Sequence, residues 1–395
     1  MSPSGGRGLE RRWAFEAGSP VTACSPATTG RGLVAVGTRG GTCFVLDPKC
    51  GDLVQEVACT PAPAAVWDLK LVDANDDGGD ELVTACLDGR VRVHSLDGQL
   101  LWEHKFGSSV GTVVAGDVTG DGETNLVAAS LDRTLRVLSG KTGELVWGQV
   151  FSAGVGPVEL LPGGVGKMVL AGGNDGTARA YSSAGELAWA HRVEGSGLGT
   201  PMVRFCVPWA PREPEGSTLL LLGADGAPLT LLDAAAGQSR GSLSGPEYPW
   251  TCAVACEGEL ALVGDYVFGG LADDQVQPES GVLVGLTLPL NEAWTLKLDE
   301  LHAKGNHEGE GGAAGRCVEA IREVPKTGAC AVGTSDGVLF LVDGPSGRVL
   351  DNLDLASMVN CLGVPSDGSL VAGTQGGLVA GVGLVPPRAR DGLPS

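Results

Sequence analysis

Positive charge is scarce in this sequence. Its 395 residues include 27 Lys and Arg against 47 Asp and Glu, which gives a formal net charge of −20 at pH 7. Nucleic acids and anionic membrane surfaces are bound through clustered Lys and Arg, and the sequence has no basic stripe. We therefore expect no nucleic-acid partner and no anionic membrane partner. The negative charge is typical of a soluble protein, and a basic protein partner is the alternative interpretation.

Long apolar runs and paired cysteines are also missing. No stretch approaches the roughly 20 apolar residues that a membrane span requires, and residues 1–18 lack the apolar core of a secretory signal. The 11 cysteines are an odd number without a Cys-x-x-Cys pair, which disfavours zinc. Several of them, such as Cys86 and Cys330, lie in apolar runs typical of buried, reduced thiols. We expect a cytoplasmic protein without membrane insertion.

Glycine, by contrast, is abundant. The chain has 64 Gly and 23 Pro alongside 43% hydrophobic residues, a composition that long helices would not tolerate and that suits short strands joined by tight turns. A chain of 395 residues is too long for one ordinary core. A repeat protein escapes this limit, because each repeat buries its faces against its neighbours.

The sequence does contain a repeat. Residues 67–102 and 112–147 share an apolar strand, an acidic loop, an LVxA strand, a turn beginning Leu-Asp, an alternating strand and a closing Gly-x-Leu-x-Trp. The closing tryptophans Trp102, Trp147 and Trp189 are 45 and 42 residues apart. Four-stranded propeller blades have a period of about 40 to 50 residues. Together with Trp294 and Trp13, we expect these tryptophans to pack between blades.

The spacing predicts an all-β, closed β-propeller of eight four-stranded antiparallel blades, with seven blades as the alternative. The expected blade starts are near Val21, Ala65, Val110, Val155, Gly199, Thr251, Cys317 and Met358. The last unit supplies only about three strands, so an N-terminal strand near residues 11–17 is expected to pair beside residues 378–384 and close the ring. This makes one domain over residues 1–385, followed by a tail at 386–395.

The motifs resemble two known kinds of propeller. A Gly-x-Leu-x-Trp strand after an Asp-Gly or Gly-Gly hairpin is similar to the blades of quinoprotein-like propellers. The acidic loops resemble FG-GAP-type repeats, known from integrin α chains and from propellers of the Bardet–Biedl ciliary coat complex. Dehydrogenases, adhesion receptors, assembly factors and coat subunits all use this fold, so the resemblance implies fold more directly than function.

The resemblance to FG-GAP-type repeats implies two calcium loops. In such loops, side chains at positions one, three, five and nine and a carbonyl at position seven hold the ion. In the first loop these positions are Asp73, Asn75, Asp77, Glu81 and Gly79. In the second loop the side-chain positions are Asp117, Thr119, Asp121 and Asn125, and fewer charges imply weaker binding. The alternative is that both are Asx-rich turns, with no cofactor.

The function that follows is a non-catalytic protein-interaction scaffold in a larger cytoplasmic assembly. Partners would contact the insertions at 208–218, 264–281 and 299–317, because insertions project from a propeller face. The Bardet–Biedl resemblance adds a ciliary or cytoskeletal location as a refinement. One alternative is a quinoprotein-like or metal-dependent enzyme, although quinoprotein dehydrogenases use adjacent cysteines, which this sequence lacks. Another is a calcium-stabilised adhesion-type propeller.

Overall fold

The computed structural model describes residues 8–30, 32–59, 64–195, 200–210, 218–265, 281–301 and 316–386. Within these ranges the chain forms 32 β-strands and two single-turn 3₁₀ helices, Cys256–Gly258 and Leu298–Glu300. The strands pair into eight four-stranded antiparallel sheets. The prediction of an eight-bladed all-β propeller is therefore confirmed, and the seven-bladed alternative is wrong.

Seven of the sheets are consecutive along the chain, and the eighth combines both ends of the chain. The first strand of the described residues, β1 (Gly8–Glu16), belongs to the last blade. Blades 1 to 4 contain β2 (Val21–Pro26), β3 (Val34–Thr38), β4 (Thr42–Leu46) and β5 (Leu53–Ala58); β6 (Val66–Val72), β7 (Glu81–Cys86), β8 (Arg90–His94) and β9 (Leu100–Lys105); β10 (Val110–Gly116), β11 (Asn125–Ser130), β12 (Thr134–Ser139) and β13 (Leu145–Val150); and β14 (Val155–Pro162), β15 (Lys167–Gly173), β16 (Thr177–Tyr181) and β17 (Leu187–Arg192). Blades 5 to 8 contain β18 (Val203–Trp209), β19 (Leu219–Ala224), β20 (Leu229–Asp233) and β21 (Ser239–Leu243); β22 (Pro249–Ala255), β23 (Leu260–Asp265), β24 (Val282–Thr287) and β25 (Asn291–Lys297); β26 (Val318–Val324), β27 (Ala329–Thr334), β28 (Val338–Asp343) and β29 (Val349–Asp354); and β30 (Val359–Gly363), β31 (Leu370–Thr374), β32 (Leu378–Val385) and β1.

The first strands of the blades contact one another in a closed circle, from β2 through β30 and back to β2, and so surround a central channel. Because the strands alternate in direction, the ring has two distinct faces. The first face carries the connections between blades and the turns between second and third strands. The second face carries the loops between first and second strands and the turns between third and fourth strands.

The N-terminal strand closes the ring as predicted. Strand β1 pairs antiparallel with β32, with Trp13 opposite Gly381 and Glu16 opposite Leu378. Strand β1, which forms the outer edge of blade 8, also contacts blade 7, because the backbone N–H of Leu9 donates to Oδ2 of Asp351 at 2.8 Å. Because one blade contains strands from both ends of the chain, the blades form a closed ring.

The apolar core is divided among the contacts between blades. Eight hydrophobic clusters are formed by the described residues, and each one combines side chains from two adjacent blades. Second strands such as β7, β11 and β27 are buried at every position, because they lie in the middle of a sheet that is covered on both faces. Among the residues that the structure describes, no blade has a core of its own, so each blade depends on its neighbours.

The five closing tryptophans lie at these contacts, which confirms their predicted packing role. Each indole Nε1 donates to a carbonyl in the turn between the third and fourth strands of the following blade, at 2.7 to 3.0 Å. The donor–acceptor pairs are Trp13–Pro48, Trp102–Gly140, Trp147–Ser183, Trp189–Ala234 and Trp294–Gly344. In each case the ring lies so close to a glycine of the same turn that a Cβ there would overlap it. We call this arrangement the Trp–Gly joint.

A glycine-to-alanine pair tests the joint. Gly143 has a φ of +72° and contacts the Trp102 ring, whereas Gly122 has a φ of +88° and open space around it. Alanine at either position costs about 1–2 kcal/mol for the left-handed backbone, but only Gly143→Ala also displaces the indole. We expect Gly143→Ala to lower the melting temperature, followed by circular dichroism, clearly more than Gly122→Ala. Equal losses would show that the joint contributes little.

Candidate functional site

The first acidic loop, between β6 and β7, is an ordered turn held by its own side chains. Asp73 accepts backbone N–H groups from Asp77 at 3.1 Å and from Gly78 at 2.9 Å. Asn75 Oδ1 accepts the N–H of Asp77 at 2.9 Å, and Asp77 Oδ1 accepts the N–H of Gly79 at 2.8 Å. These are Asx-type hydrogen bonds, in which short side chains accept from the backbone a few residues ahead. They stabilise the loop without requiring a metal ion.

Glu81 joins the same network from the start of β7. Its Oε2 accepts N–H groups from Ala74 at 2.8 Å and from Asn75 at 3.3 Å. The Asn75 amide donates to Glu81 Oε1 and to Asp77 Oδ2, each at 3.1 Å. Burial raises the pKa of Glu81, and the charges of Asp77 and Asp73 raise it further, against the lowering effect of the backbone donors. The structure thus brings together the four side chains of the predicted first site.

The second loop, between β10 and β11, has the same design with fewer charges. Asp117 Oδ2 accepts the N–H of Gly122 at 3.1 Å, and Asn125 Oδ1 accepts the N–H of Thr119 at 3.1 Å. Asp121 accepts a backbone N–H two residues ahead at 3.0 Å. In the described part of the chain, no group of three or more His, Cys, Asp or Glu is arranged to hold a metal ion. Calcium in either loop therefore stays a prediction.

Two acidic side chains that the calcium pattern does not use connect adjacent blades. Asp80, only 2% exposed, accepts N–H groups of Thr28 and Thr29 from blade 1 at 3.2 and 3.1 Å, and both hydroxyls donate to it as well. Asp76 accepts the N–H and hydroxyl of Thr124 from blade 3 at 2.9 and 2.7 Å. The acidic loop of blade 2 therefore links three blades on the second face, a role that the sequence pattern did not reveal.

Charged side chains of the first strands converge in the central channel. Lys70 Nζ lies 2.8 Å from Asp68 Oδ1. Burial raises the pKa of Glu159 to about 7; the cations Lys70 and Arg322 act against this rise, and Asp68 adds to it. These groups come from blades 2, 4 and 7, so side chains from widely separated blades interact across the channel. Burial therefore makes the charged form of Glu159 unfavourable.

A ring of bulge residues surrounds the channel on the first face. Each first strand has a register shift near its start, where one or two extra residues interrupt the ladder with the second strand. The residues at these shifts include Thr22, Trp67, Gly111, Gly156, Arg204, Trp250, Glu319 and Asn360. Some bind the next blade: Asn360 Nδ2, for example, donates to Val21 O at 2.8 Å.

Two tryptophans of this ring differ from those of the Trp–Gly joints. Trp67 is 49% exposed and Trp250 is 37% exposed. The Arg204 guanidinium lies 5.1 Å from the Trp250 ring centroid, a cation–π distance, whereas Trp67 faces the small Gly111 of the next blade. Exposed tryptophan is uncommon away from binding surfaces, so this ring is the strongest candidate site among the described residues.

Three further sequence predictions have mixed outcomes. All 11 cysteines carry free thiols, as expected for a reduced protein. No helix in the ranges that the structure describes is long and apolar enough to cross a membrane. Of the predicted contact insertions, residues 211–217, 266–280 and 302–315 lie outside the described residues, so the proposed contacts there stay predictions.

The segment at residues 333–337 has the Gly-x-Ser-x-Gly spacing of a hydrolase nucleophile motif. It forms the turn between β27 and β28 rather than the strand-to-helix elbow that this motif requires. The Ser335 hydroxyl oxygen accepts the backbone N–H of Cys317 at 2.9 Å. Here the motif serves as an ordinary blade turn.

The fold and its repeated joints define an eight-bladed β-propeller. In agreement, the family model described as "Outer membrane protein assembly factor BamB" matches residues 87–269. No curated protein matches the chain at a significant level of sequence similarity. The resemblance to quinoprotein-like propellers that the blade motifs suggested is thus confirmed.

Several solved structures have the same fold. BamB from Moraxella catarrhalis is 15% identical, with a TM-score of 0.67 over 95% of this chain and 99% of that chain. Sqt1 from Saccharomyces cerevisiae is 11% identical, with a TM-score of 0.74 over 96% and 100%. The computationally designed Ika8 protein is 17% identical, with a TM-score of 0.68 over 94% and 99%. At these identities the likeness establishes the fold alone.

Asp77→Ala tests both interpretations of the first acidic loop. The variant loses the acceptor for the Gly79 N–H and one partner of Asn75, so we expect a stability loss of about 0.5–1.5 kcal/mol per hydrogen bond without any calcium. If the loop also binds the ion, millimolar calcium will raise the melting temperature of the wild type but not that of the variant. An equal rise in both proteins would place the ion elsewhere.

Glu159→Gln tests the channel charges. The folded-state pKa of about 7 lies above the ordinary glutamate value of 4.5, so the folded protein keeps a proton that the unfolded chain has released between these values. Wild-type stability should therefore fall as pH rises from about 4.5 to 7, by an amount on the order of 1–3 kcal/mol. We expect Glu159→Gln to flatten this fall in urea unfolding curves.

Two features of this experiment separate Glu159 from other groups. Burial also raises the pKa of Glu319 to about 7, but Glu319 is present in both proteins and contributes equally to each curve. Glu144→Gln, in an exposed turn, serves as the control and should leave the pH dependence unchanged. Identical pH profiles for Glu159→Gln and the wild type would contradict the assignment.

Proposed function

We propose that this propeller is a non-catalytic protein-interaction subunit of a larger cytoplasmic assembly, and that it binds a partner on the first face beside the channel. The observation that carries the proposal is an exposed apolar group on blades 2 and 3. Trp67 is 49% exposed, Leu87 is 43% exposed and Leu131 is 54% exposed. Apolar patches of this kind on a soluble fold are typical of interaction sites.

The three side chains are placed on neighbouring segments by backbone contacts. Leu87 N donates to Ala65 O at 2.9 Å, two residues before Trp67. Leu131 N donates to the carbonyl of residue 109 at 3.0 Å, and Gly111, two residues later, lies against the Trp67 ring. The turns of blades 2 and 3 therefore flank the tryptophan. A large aromatic with aliphatic neighbours is the composition of an energetic centre in a protein interface.

The rest of the molecule supports a platform function. A closed ring of mutually packed blades is a rigid frame whose faces can hold a partner without refolding. The family model that matches residues 87–269 is described as an assembly factor. A protein of that description acts through other proteins, as we propose for this chain. The cytoplasmic assembly remains our proposal from the sequence.

The proposal is tested by removing the apolar group. The tagged wild type and a Leu87→Ser/Leu131→Ser variant are used to purify partners from the native source, and a recovered partner is then purified and titrated against both proteins by calorimetry. We expect at least a tenfold weaker affinity for the variant. Val165→Ser, which changes a 70% exposed residue elsewhere, is the control and should bind like the wild type.

Two results would contradict this function. One is equal affinity of the double variant and the wild type, measured after both show the same melting temperature. The other is recovery of the wild-type protein alone together with redox activity on an added quinone cofactor. That second result would favour the quinoprotein-like enzyme instead.

A further inference from the structure

A second exposed apolar region follows the outer edge of half the ring. Seven aliphatic side chains at equivalent positions of the fourth strands β5, β9, β13 and β17 are between 41% and 56% exposed. They are Leu53, Val54, Leu100, Leu101, Leu145, Val146 and Leu187. We call this set the rim band. It accounts for more than half of the large apolar side chains that are exposed in the described residues, so apolar exposure is concentrated there.

The same positions in other blades are mostly polar, which gives an internal comparison. Blade 8 has Arg11 and Arg12, blade 5 has Ser239 and Arg240, and blade 6 has Glu292. Blade 7 has aliphatic residues there too, but they are half-buried. The fold itself therefore does not require exposed aliphatic residues at these positions. Blades 1 to 4 differ from the others in surface chemistry while sharing their geometry.

The joints between blades make the rim band continuous. Trp102 of blade 2 lies over Gly143 of blade 3, and Leu145 follows two residues later. Trp147 lies over Gly185 in the same way, two residues before Leu187. The aliphatic groups of blades 2, 3 and 4 are thus separated by one Trp–Gly joint each, and between blades 1 and 2 Gln55 lies over Gly98 at the same place. A partner crossing several blades would meet apolar side chains at every step.

The four strands are also open edges. Each is the last strand of its sheet and pairs with one neighbour only, so it carries unpaired backbone N–H and C=O groups. Natural proteins protect such edges with charged side chains or proline. Arg11 and Arg12 of blade 8 and Arg240 of blade 5 fit this protection, but the rim band lacks it at the corresponding positions. An exposed apolar stretch on an open strand edge is typical of a surface that another molecule covers.

Charge next to the rim band indicates what covers it. An exposed carboxylate stands in the turn before each aliphatic group, namely Asp52, Asp97, Glu144 and Glu186. Two exposed lysines, Lys49 and Lys141, lie in the same turns and leave a net negative charge. A second copy of this chain would bring the same acidic turns against each other on a protein of charge −20, which opposes self-association.

We propose that the rim band of blades 1 to 4 docks a segment of a partner protein that combines large apolar side chains with Lys or Arg. The apolar side chains would cover the aliphatic pairs, and the basic groups would meet the carboxylates of the turns. This inference rests on the proposed function as an interaction platform, but it concerns a different surface from the exposed group around Trp67. The two surfaces can be disabled separately.

The test uses the full-length protein and a defined probe. A fluorescein-labelled synthetic peptide with Leu on one side and Lys on the other is titrated with wild type, with Leu101→Ser/Val146→Ser and with Leu350→Ser. Leu101, Val146 and Leu350 occupy the same bulge position in their strands. We expect anisotropy to show at least tenfold weaker binding for the double variant, an unchanged affinity for Leu350→Ser, and weaker binding at high salt.

Three outcomes would overturn the proposal. The first is equal binding by the double variant, once matching melting curves show that it is folded. The second is equally tight binding of a peptide in which Glu replaces Lys, because charge would then play no part. The third is a wild-type dimer in sedimentation experiments that the double variant does not form, since a second copy would then occupy the band. Leu87→Ser/Leu131→Ser should bind the peptide normally, so failure here is distinguishable from failure of the first-face site.

Discussion

Closure of the ring is the constraint on which the rest of the structure depends. Every sheet is apolar on both faces, and the eight hydrophobic clusters lie between blades rather than within them. A row of blades left open would expose two such faces to water, at a cost of roughly 25 cal/mol per Å² of apolar surface. Pairing β1 with β32 removes both open ends at once. The N-terminal strand therefore stabilises the whole ring and not only the blade that it completes.

The Trp–Gly joint shows how one geometry is kept while its chemistry changes. Five blades place an indole over the glycine of the next blade. At the same register position the remaining blades have Gln55, Gly241 and Asp351. Gln55 lies over Gly98 as the indoles lie over their glycines, and Asp351 accepts the N–H of Leu9. The position thus connects blades by packing in some cases and by a hydrogen bond in another, which lets the joint tolerate sequence change.

Periodicity explains which features could be predicted from the sequence. The blade starts, the closing strand near Trp13 and the packing tryptophans all follow the repeat. Each copy of a repeat supports the interpretation of the others. The links made by Asp76 and Asp80 could not be found this way, because their threonine partners are 48 and 51 or 52 residues away in loops without a shared motif. The convergence of Glu159 with Arg322 depends on the diameter of the ring, which no local pattern specifies. The sequence pattern identifies the acidic loops as a group but carries no signal of their contacts with neighbouring blades.

Tryptophan illustrates why function is better sought where the repeat is broken. Trp102 has a counterpart at the same position in other blades. Its indole N–H donates to a carbonyl at 2.8 Å and its ring covers a glycine, so its polar group and its ring are both engaged in contacts between blades. Trp67 occupies a bulge position that is glycine in the next blade, and half of its surface is in water. The rim band follows the same logic, because its aliphatic residues occupy positions that are polar in blades 5, 6 and 8. The fold allows different residue types at these positions. Packing within the ring therefore does not explain why they expose apolar side chains. Contact with another molecule, which we propose for both surfaces, would explain it. Both surfaces lie on blades 1 to 4, so the proposed contacts fall on one part of a nearly symmetric ring.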